Sequence, residues 1–196
     1  MTDTMTDGPS EDVPDGIRFN TWLPLEAPPC WEVLTRSHHL QKWFGDHITH
    51  DATPGGFFRD IVRRDEGTSI VIGQISHMEE PRVIHMSWSD EGWGVETQLE
   101  LRITGLAGGS LLTLTHSGWR DLAAREAPQV RRDHELAWKR HLVCLESYCE
   151  QLAAERAPAP SSGPDDGPLP GGSRSDPAGS IPGMSGAAQN ACFLSL

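Results

Sequence analysis

The chain has 196 residues and a formal net charge of −12, and this length suits one domain of about 140 residues with flexible ends. The acidic balance offers no basic footprint for nucleic acid and argues against binding to anionic lipid. No apolar run approaches the about 18–20 residues that cross a bilayer, and the start lacks the basic and apolar regions of a signal peptide. We therefore expect a cytoplasmic protein with no nucleic-acid partner and no membrane partner.

The two ends of the chain differ in composition from its middle. Residues 1–16 carry five acids and no base, which predicts a disordered acidic leader. Gly, Pro and Ser occupy 20 of the 35 positions in 157–191, too polar a composition to offset the entropy of ordering. The sequence thus predicts a disordered Gly/Pro/Ser-rich tail at 156–196 and one folded domain at 17–155.

Alternating apolar and polar residues predict a series of strands that begins at 17–23. The clearest is 95–104, where apolar side chains fall on one face and polar ones on the other. This pattern is typical of an antiparallel sheet that is covered on one side only. The further predicted strands, separated by turn residues, are 47–51, 57–64, 69–78, 82–89 and 110–116.

Helical periodicity appears in two places. Two short helices are predicted at 28–35 and 37–44, because prolines suit a first turn and Ser37 can cap the second helix. A long helix is predicted at 129–155. Its apolar stripe must be buried, and the strands before it are the natural partner. The stripe, at steps of four, three, four and three, consists of Trp138, Leu142, Leu145, Cys149 and Leu152.

Several short segments, in this order of elements, resemble the START-like superfamily, also called SRPBCC. They are APPCWEVLT at 27–35, LQKWFGD at 40–46, PGGFFRD at 54–60, EEPRVIHMSW at 79–88, LTLTHSGW at 112–119 and the helix around Trp138. Within the superfamily they look most like the C-terminal domain of activators of the heat-shock protein 90 ATPase. The resemblance covers 17–155 and implies an α+β helix-grip fold with two short helices after strand one. A curved antiparallel sheet of about six to seven strands would surround the long C-terminal helix and leave a cavity.

The resemblance implies three kinds of function, because this fold hosts many activities. The first is binding of a small apolar ligand between the sheet and the C-terminal helix. The alternative is a protein-interaction module with a chaperone partner, as in the ATPase activators. A further alternative is an enzyme resembling a cyclase or a hydrolase.

Candidate cavity residues are the wide aromatic side chains and the apolar positions that share strand and helix faces with them. Such residues suit an apolar ligand, but the same side chains also fill ordinary cores. The candidates are Trp43, Ile84, Met86, Trp88, Leu99, Leu114, His116, Trp119, Trp138 and Leu142.

The sequence assigns no catalytic residue. His85 and His116 lie in predicted strands, where a histidine could act as an acid or base or serve only a structural role. Asp46, Asp60 and Asp90 are expected at element ends, where they would cap helices or close turns. The HITH run at 47–50 has no established metal-ligand spacing, and neither a phosphate-binding glycine loop nor a CxxC pair is present. We therefore expect no metal and no cofactor.

Overall fold

The computed structural model describes residues 16–64, 67–122 and 127–156. The predicted leader and tail lie outside the described residues, except for Gly16 and Arg156, which belong to the first strand and the last helix. The boundaries proposed for the folded domain, 17–155, stay a prediction.

Every predicted strand and helix is present, with bounds within two residues of the predicted ones. The strands are β1 (Gly16–Leu23), β2 (Ile48–His50), β3 (Phe57–Arg64), β4 (Gly67–Glu79), β5 (Val83–Asp90), β6 (Thr97–Leu106) and β7 (Gly109–Ser117). The helices are α1 (Ala27–Thr35), α2 (Ser37–Trp43) and α3 (Ala127–Arg156), with a 3₁₀ turn at Trp119–Asp121.

The strands form one antiparallel sheet in the order β1-β7-β6-β5-β4-β3-β2. The pairing of β4 with β5 shifts between Ile75 and His77, and such a bulge bends a sheet and increases its twist. On β6, Thr97, Leu99 and Ile103 are buried while the residues between them are more exposed. The sheet is therefore curved with one covered face, and the predicted α+β helix-grip fold is confirmed.

Helix α3 covers the sheet through the predicted stripe. Trp138, Leu142, Leu145 and Cys149 are buried, and Leu152 packs half-buried against the same core. The outer face of α3 carries charged residues such as Lys139, which bonds to Glu135 one turn earlier. Across the described residues, no helix is both long and apolar enough to span a membrane.

The short helices close the remaining side of the core. Cys30, Val33 and Leu34 are the innermost residues of α1, and Leu40 and Trp43 hold α2. The prediction that Ser37 caps α2 is wrong: the N-cap is Arg36, and no side-chain hydrogen bond caps the helix. A seven-residue helix has little stability of its own, so α2 is held in place mainly by packing.

Candidate ligand cavity

A cavity lies between the concave face of the sheet, helix α3 and the two short helices. Its volume is about 40 Å³, room for a few water molecules but far below the roughly 300–1,000 Å³ of typical small-molecule pockets. Most of its wall comes from strands β5 to β7 and from α3. The lining residues include Leu40, Trp43, Phe44, Phe58, Ile75, Ile84, Met86, Trp88, Leu99, Leu112, Leu114, Trp138, Leu142 and Leu145.

The structure brings eight of the ten candidate residues together at this cavity. They are Trp43, Ile84, Met86, Trp88, Leu99, Leu114, Trp138 and Leu142. The other two, His116 and Trp119, are buried but do not line it. Trp119 instead packs with Ile17 and Leu122 in a separate apolar cluster. That any of the ten contacts a ligand stays a prediction.

Sequence reasoning missed several wall residues, above all two phenylalanines. Phe44 lies directly after α2, and its ring packs edge-on against Phe58 of β3 at 5.4 Å between centroids. Phe58 in turn stacks on Trp88 at 5.2 Å, and Trp88 lies 5.3 Å from Trp138. The rings of Phe44, Phe58, Trp88 and Trp138 are thus in continuous contact, and we call this set the aromatic wall. Offset and edge-on contacts of this kind are the favourable ones for aromatic pairs.

The two polar groups at the edge of the cavity are engaged with the protein. The Thr35 hydroxyl donates to the Trp31 carbonyl oxygen at 2.7 Å. His50 Nε2 lies 2.6 Å from the Thr35 carbonyl oxygen, which identifies it as a donor because that oxygen can only accept. The cavity therefore presents an almost wholly apolar surface to anything inside it.

His116 is fully buried and is hydrogen-bonded to two residues of the aromatic wall, directly to Trp138 and through Thr97 to Trp88. Thr97 Oγ1 donates to the Trp88 carbonyl oxygen at 2.7 Å, so it accepts from His116 Nε2, 2.8 Å away. The other ring nitrogen, Nδ1, accepts from Trp138 Nε1 at 3.0 Å. The partners therefore fix a neutral imidazole with its proton on Nε2. Burial, and next the nearby His134, hold the pKa of His116 well below its ordinary value.

This network gives a direct prediction for Thr97→Val. Valine has nearly the shape of threonine but no hydroxyl, so the buried His116 Nε2–H would lose its acceptor. A buried group left without a partner costs about 1–3 kcal/mol, and we expect a loss of about 2 kcal/mol in urea unfolding. Thr97→Ser, which retains the hydroxyl, is the control. A Thr97→Val protein as stable as the wild type would show that the network is not stabilising.

Neither histidine considered for catalysis presents a ring nitrogen to the cavity. Both nitrogens of His116 are engaged. His85 lies on β5 and faces Glu100 of β6, with 3.6 Å between Nδ1 and Oε2, and neither residue lines the cavity. Within the described ranges, no group of three or more His, Cys, Asp or Glu could hold a metal ion.

The expectation that Asp60 closes an element is wrong. Asp60 lies inside β3, is buried, and has its Oδ1 3.2 Å from Nε2 of His47. Asp90 does end a strand, and its two carboxylate oxygens share the proton of the Ser69 hydroxyl, at 2.9 and 3.1 Å from Oγ. The two carboxylates line a second chamber beside the aromatic wall.

Comparison with known proteins agrees with this architecture. A family model described as activator of Hsp90 ATPase homolog 1-like protein matches residues 27–150. The crystal structure of DynU16, from the dynemicin biosynthetic locus, is 25% identical with a TM-score of 0.57, over 69% of this chain and 47% of DynU16. The chain therefore spans about half the length of that relative. No curated protein sequence matches the chain.

Two further structures share the fold at lower identity. CalU16 from Micromonospora echinospora is 22% identical with a TM-score of 0.56, over 72% of this chain and 82% of CalU16. The Aha1 dimer from Colwellia psychrerythraea is 14% identical with a TM-score of 0.55, over 69% of this chain and 96% of that protein. At these identities the likeness concerns the fold alone.

Proposed function

The chain belongs to the family of activator of Hsp90 ATPase homolog 1-like proteins, since the family model spans 27–150, and on this premise we propose that it binds a small apolar molecule. The ligand would lie between the sheet and α3, against the aromatic wall. The observation that carries the proposal is the apolar lining of the cavity, whose polar edge groups at Thr35 and His50 are engaged with the protein.

The volume of about 40 Å³ means that the cavity must open to accept a ligand larger than a few water molecules. Helix α2 is the wall best suited to move, because it is seven residues long, lacks a side-chain cap and is held by Leu40 and Trp43. Both of these residues line the cavity. A ligand that binds the open form better than the closed one would shift the population toward it.

Native mass spectrometry of the protein from its own host, compared with its denatured mass, tests this proposal. We expect an additional mass that disappears on denaturation. Leu142→Phe, which fills the cavity from α3, should remove that mass, although such overpacking commonly costs about 1–3 kcal/mol of stability. Val143→Phe is the matched control, because Val143 is the next residue and is 59% exposed.

The result has two informative alternatives. A bare chain in the wild-type spectrum, with no uptake of added apolar compounds, would contradict ligand binding. An added mass that persists in folded Leu142→Phe would place the ligand elsewhere on the molecule.

A second candidate function is stimulation of a chaperone ATPase, which the description of the family favours. Adding the protein to an Hsp90-class chaperone would then raise its rate of ATP hydrolysis. A contact made by the outer surface should survive Leu142→Phe, whereas ligand binding should not, so the same variant separates the two functions. An unchanged ATPase rate at saturating protein would reject this candidate.

A further inference from the structure

The indole nitrogen of Trp88 is a buried hydrogen-bond donor without an acceptor. The side chain is 5% exposed, and within the described residues Nε1 has no partner. A buried donor without a partner is costly, and it commonly indicates a bound water or ligand that completes the site. This donor is informative, because Trp88 belongs to the aromatic wall of the cavity.

The other buried tryptophans named as candidates do not share this feature. Trp43 donates to the Val33 carbonyl oxygen at 3.1 Å, and Trp119 donates to the His116 carbonyl oxygen at 2.9 Å. Trp138 donates to the His116 ring, as described above. The fold thus satisfies the indole donor at three of the four candidate tryptophans and leaves it open at Trp88.

Trp88 separates the cavity from a second chamber of about 50 Å³. Phe44, Trp88 and Trp138 line both spaces. The second chamber shares Asp90 and His134 with an open surface cleft of about 350 Å³ between the end of β5 and the first half of α3. The cleft, the chamber and the cavity therefore form a series of adjoining spaces, and Trp88 is one of three residues between the chamber and the cavity.

The charges beside Trp88 restrict which acceptor can reach it. Asp60, Asp90 and Trp88 all line the chamber, and the two carboxylates would repel an anionic ligand group placed there. Each carboxylate already has a protein partner, His47 and Ser69 respectively. A neutral acceptor oxygen avoids the repulsion and satisfies the indole donor.

We propose that the ligand carries a neutral carbonyl oxygen that accepts a hydrogen bond from Trp88 Nε1. The carbonyl is attached to an aromatic frame, because the wall around Trp88 consists of the rings of Phe44, Phe58 and Trp138. The chamber also has room for water, so a bound water is the competing partner for the donor. This inference rests on the proposed ligand-binding function and names its chemical class.

Two probes of nearly equal shape test the inference: acetophenone and α-methylstyrene, which differ by an oxygen in place of a CH₂ group. Their dissociation constants are measured by NMR titration of the wild type, Trp88→Phe and Trp119→Phe. In a double-mutant cycle, one hydrogen bond corresponds to about a fivefold change in an equilibrium constant. We expect Trp88→Phe to reduce the relative preference for acetophenone about fivefold. Trp119→Phe should leave it unchanged, because Trp119 does not line the cavity and its donor is already satisfied.

The indole N–H resonance of Trp88 in the wild type gives a second measurement that does not depend on a folded variant. It should move downfield with acetophenone and not with α-methylstyrene. Benzoate, an anion of similar size, should bind more weakly than either probe, and tighter binding of benzoate would overturn the assignment of a neutral acceptor.

The remaining outcomes separate the inference from the proposed function. Equal binding ratios in the wild type and Trp88→Phe would overturn the carbonyl contact but leave ligand binding in place. If the chemical shift of the Trp88 indole N–H does not change when acetophenone binds, the donor is bonded to water instead, and the carbonyl contact is overturned in the same way. No binding of either probe would overturn both.

Discussion

Lowering the pH from 6.5 to 4 is expected to remove about 3 kcal/mol of the free energy of unfolding through His141 alone. The His141 ring stacks on Phe44 at 4.0 Å with the planes 4° apart. Burial, then His47 and Arg140, lower the pKa of His141 from its ordinary 6.5 to about 4. Between these values the unfolded chain binds a proton that the folded protein does not, so stability falls as the pH falls and levels off below about 4.

His116 adds to this loss in the same direction. Its pKa is also lowered by burial, and protonation would place a proton on Nδ1 against the donor of Trp138. Urea unfolding between pH 7 and 4 includes both effects. His141→Gln should remove the His141 share of the slope, which comes from the lowered pKa of that residue. A full slope in His141→Gln would contradict the role of His141.

The fold was predictable because its signals are local and periodic. The one-sided alternation on β6 specified which face is covered, and the α3 stripe specified the partner for that face. These signals depend on side-chain period alone, which differs between strand and helix. The prediction for Ser37 failed because capping depends on where the first helical residue lies, and the structure begins α2 one residue earlier than capping by Ser37 requires.

The cavity was predictable only where a candidate lay on an element whose inward face was already clear. Ile84, Met86 and Trp88 alternate along β5 and all line the cavity. Phe57 and Phe58 are adjacent at the start of β3, and the strand sequence does not reveal which of them points inward. The structure leaves Phe57 45% exposed and buries Phe58.

Contacts between segments that are distant in the chain could not be predicted from the sequence. Asp60 lies in a stretch that reads as an ordinary strand, and only the three-dimensional fold places it beside His47. The same holds for Trp88: its identity suggests a core or cavity residue, but whether its indole donor finds an acceptor depends on the exact positions of neighbouring strands. Hydrogen-bond satisfaction is a property of packed geometry and has no periodic signal in the sequence.

Leu145→Ala is expected to lower the free energy of unfolding by about 2–5 kcal/mol, the range for deleting a buried leucine side chain. Leu145 is fully buried on α3 and lines the cavity. The deletion should also enlarge that cavity, since a packed core collapses only partly around the lost atoms. The variant should consequently bind α-methylstyrene more tightly than the wild type, because the enlarged cavity needs a smaller conformational opening to admit the ligand.

Ligand binding to the folded state then restores part of the lost stability, by about 2–3 kcal/mol when the free ligand is at 100 times its dissociation constant. Thermal unfolding with and without α-methylstyrene measures this gain. Leu122→Ala is the matched control: Leu122 is also buried, but it belongs to the separate cluster with Ile17 and Trp119. If α-methylstyrene raises the stability of the two variants by the same amount, the ligand binds outside the cavity. A gain confined to Leu145→Ala would locate it between α3 and the sheet, because only there does the deleted side chain border the proposed site.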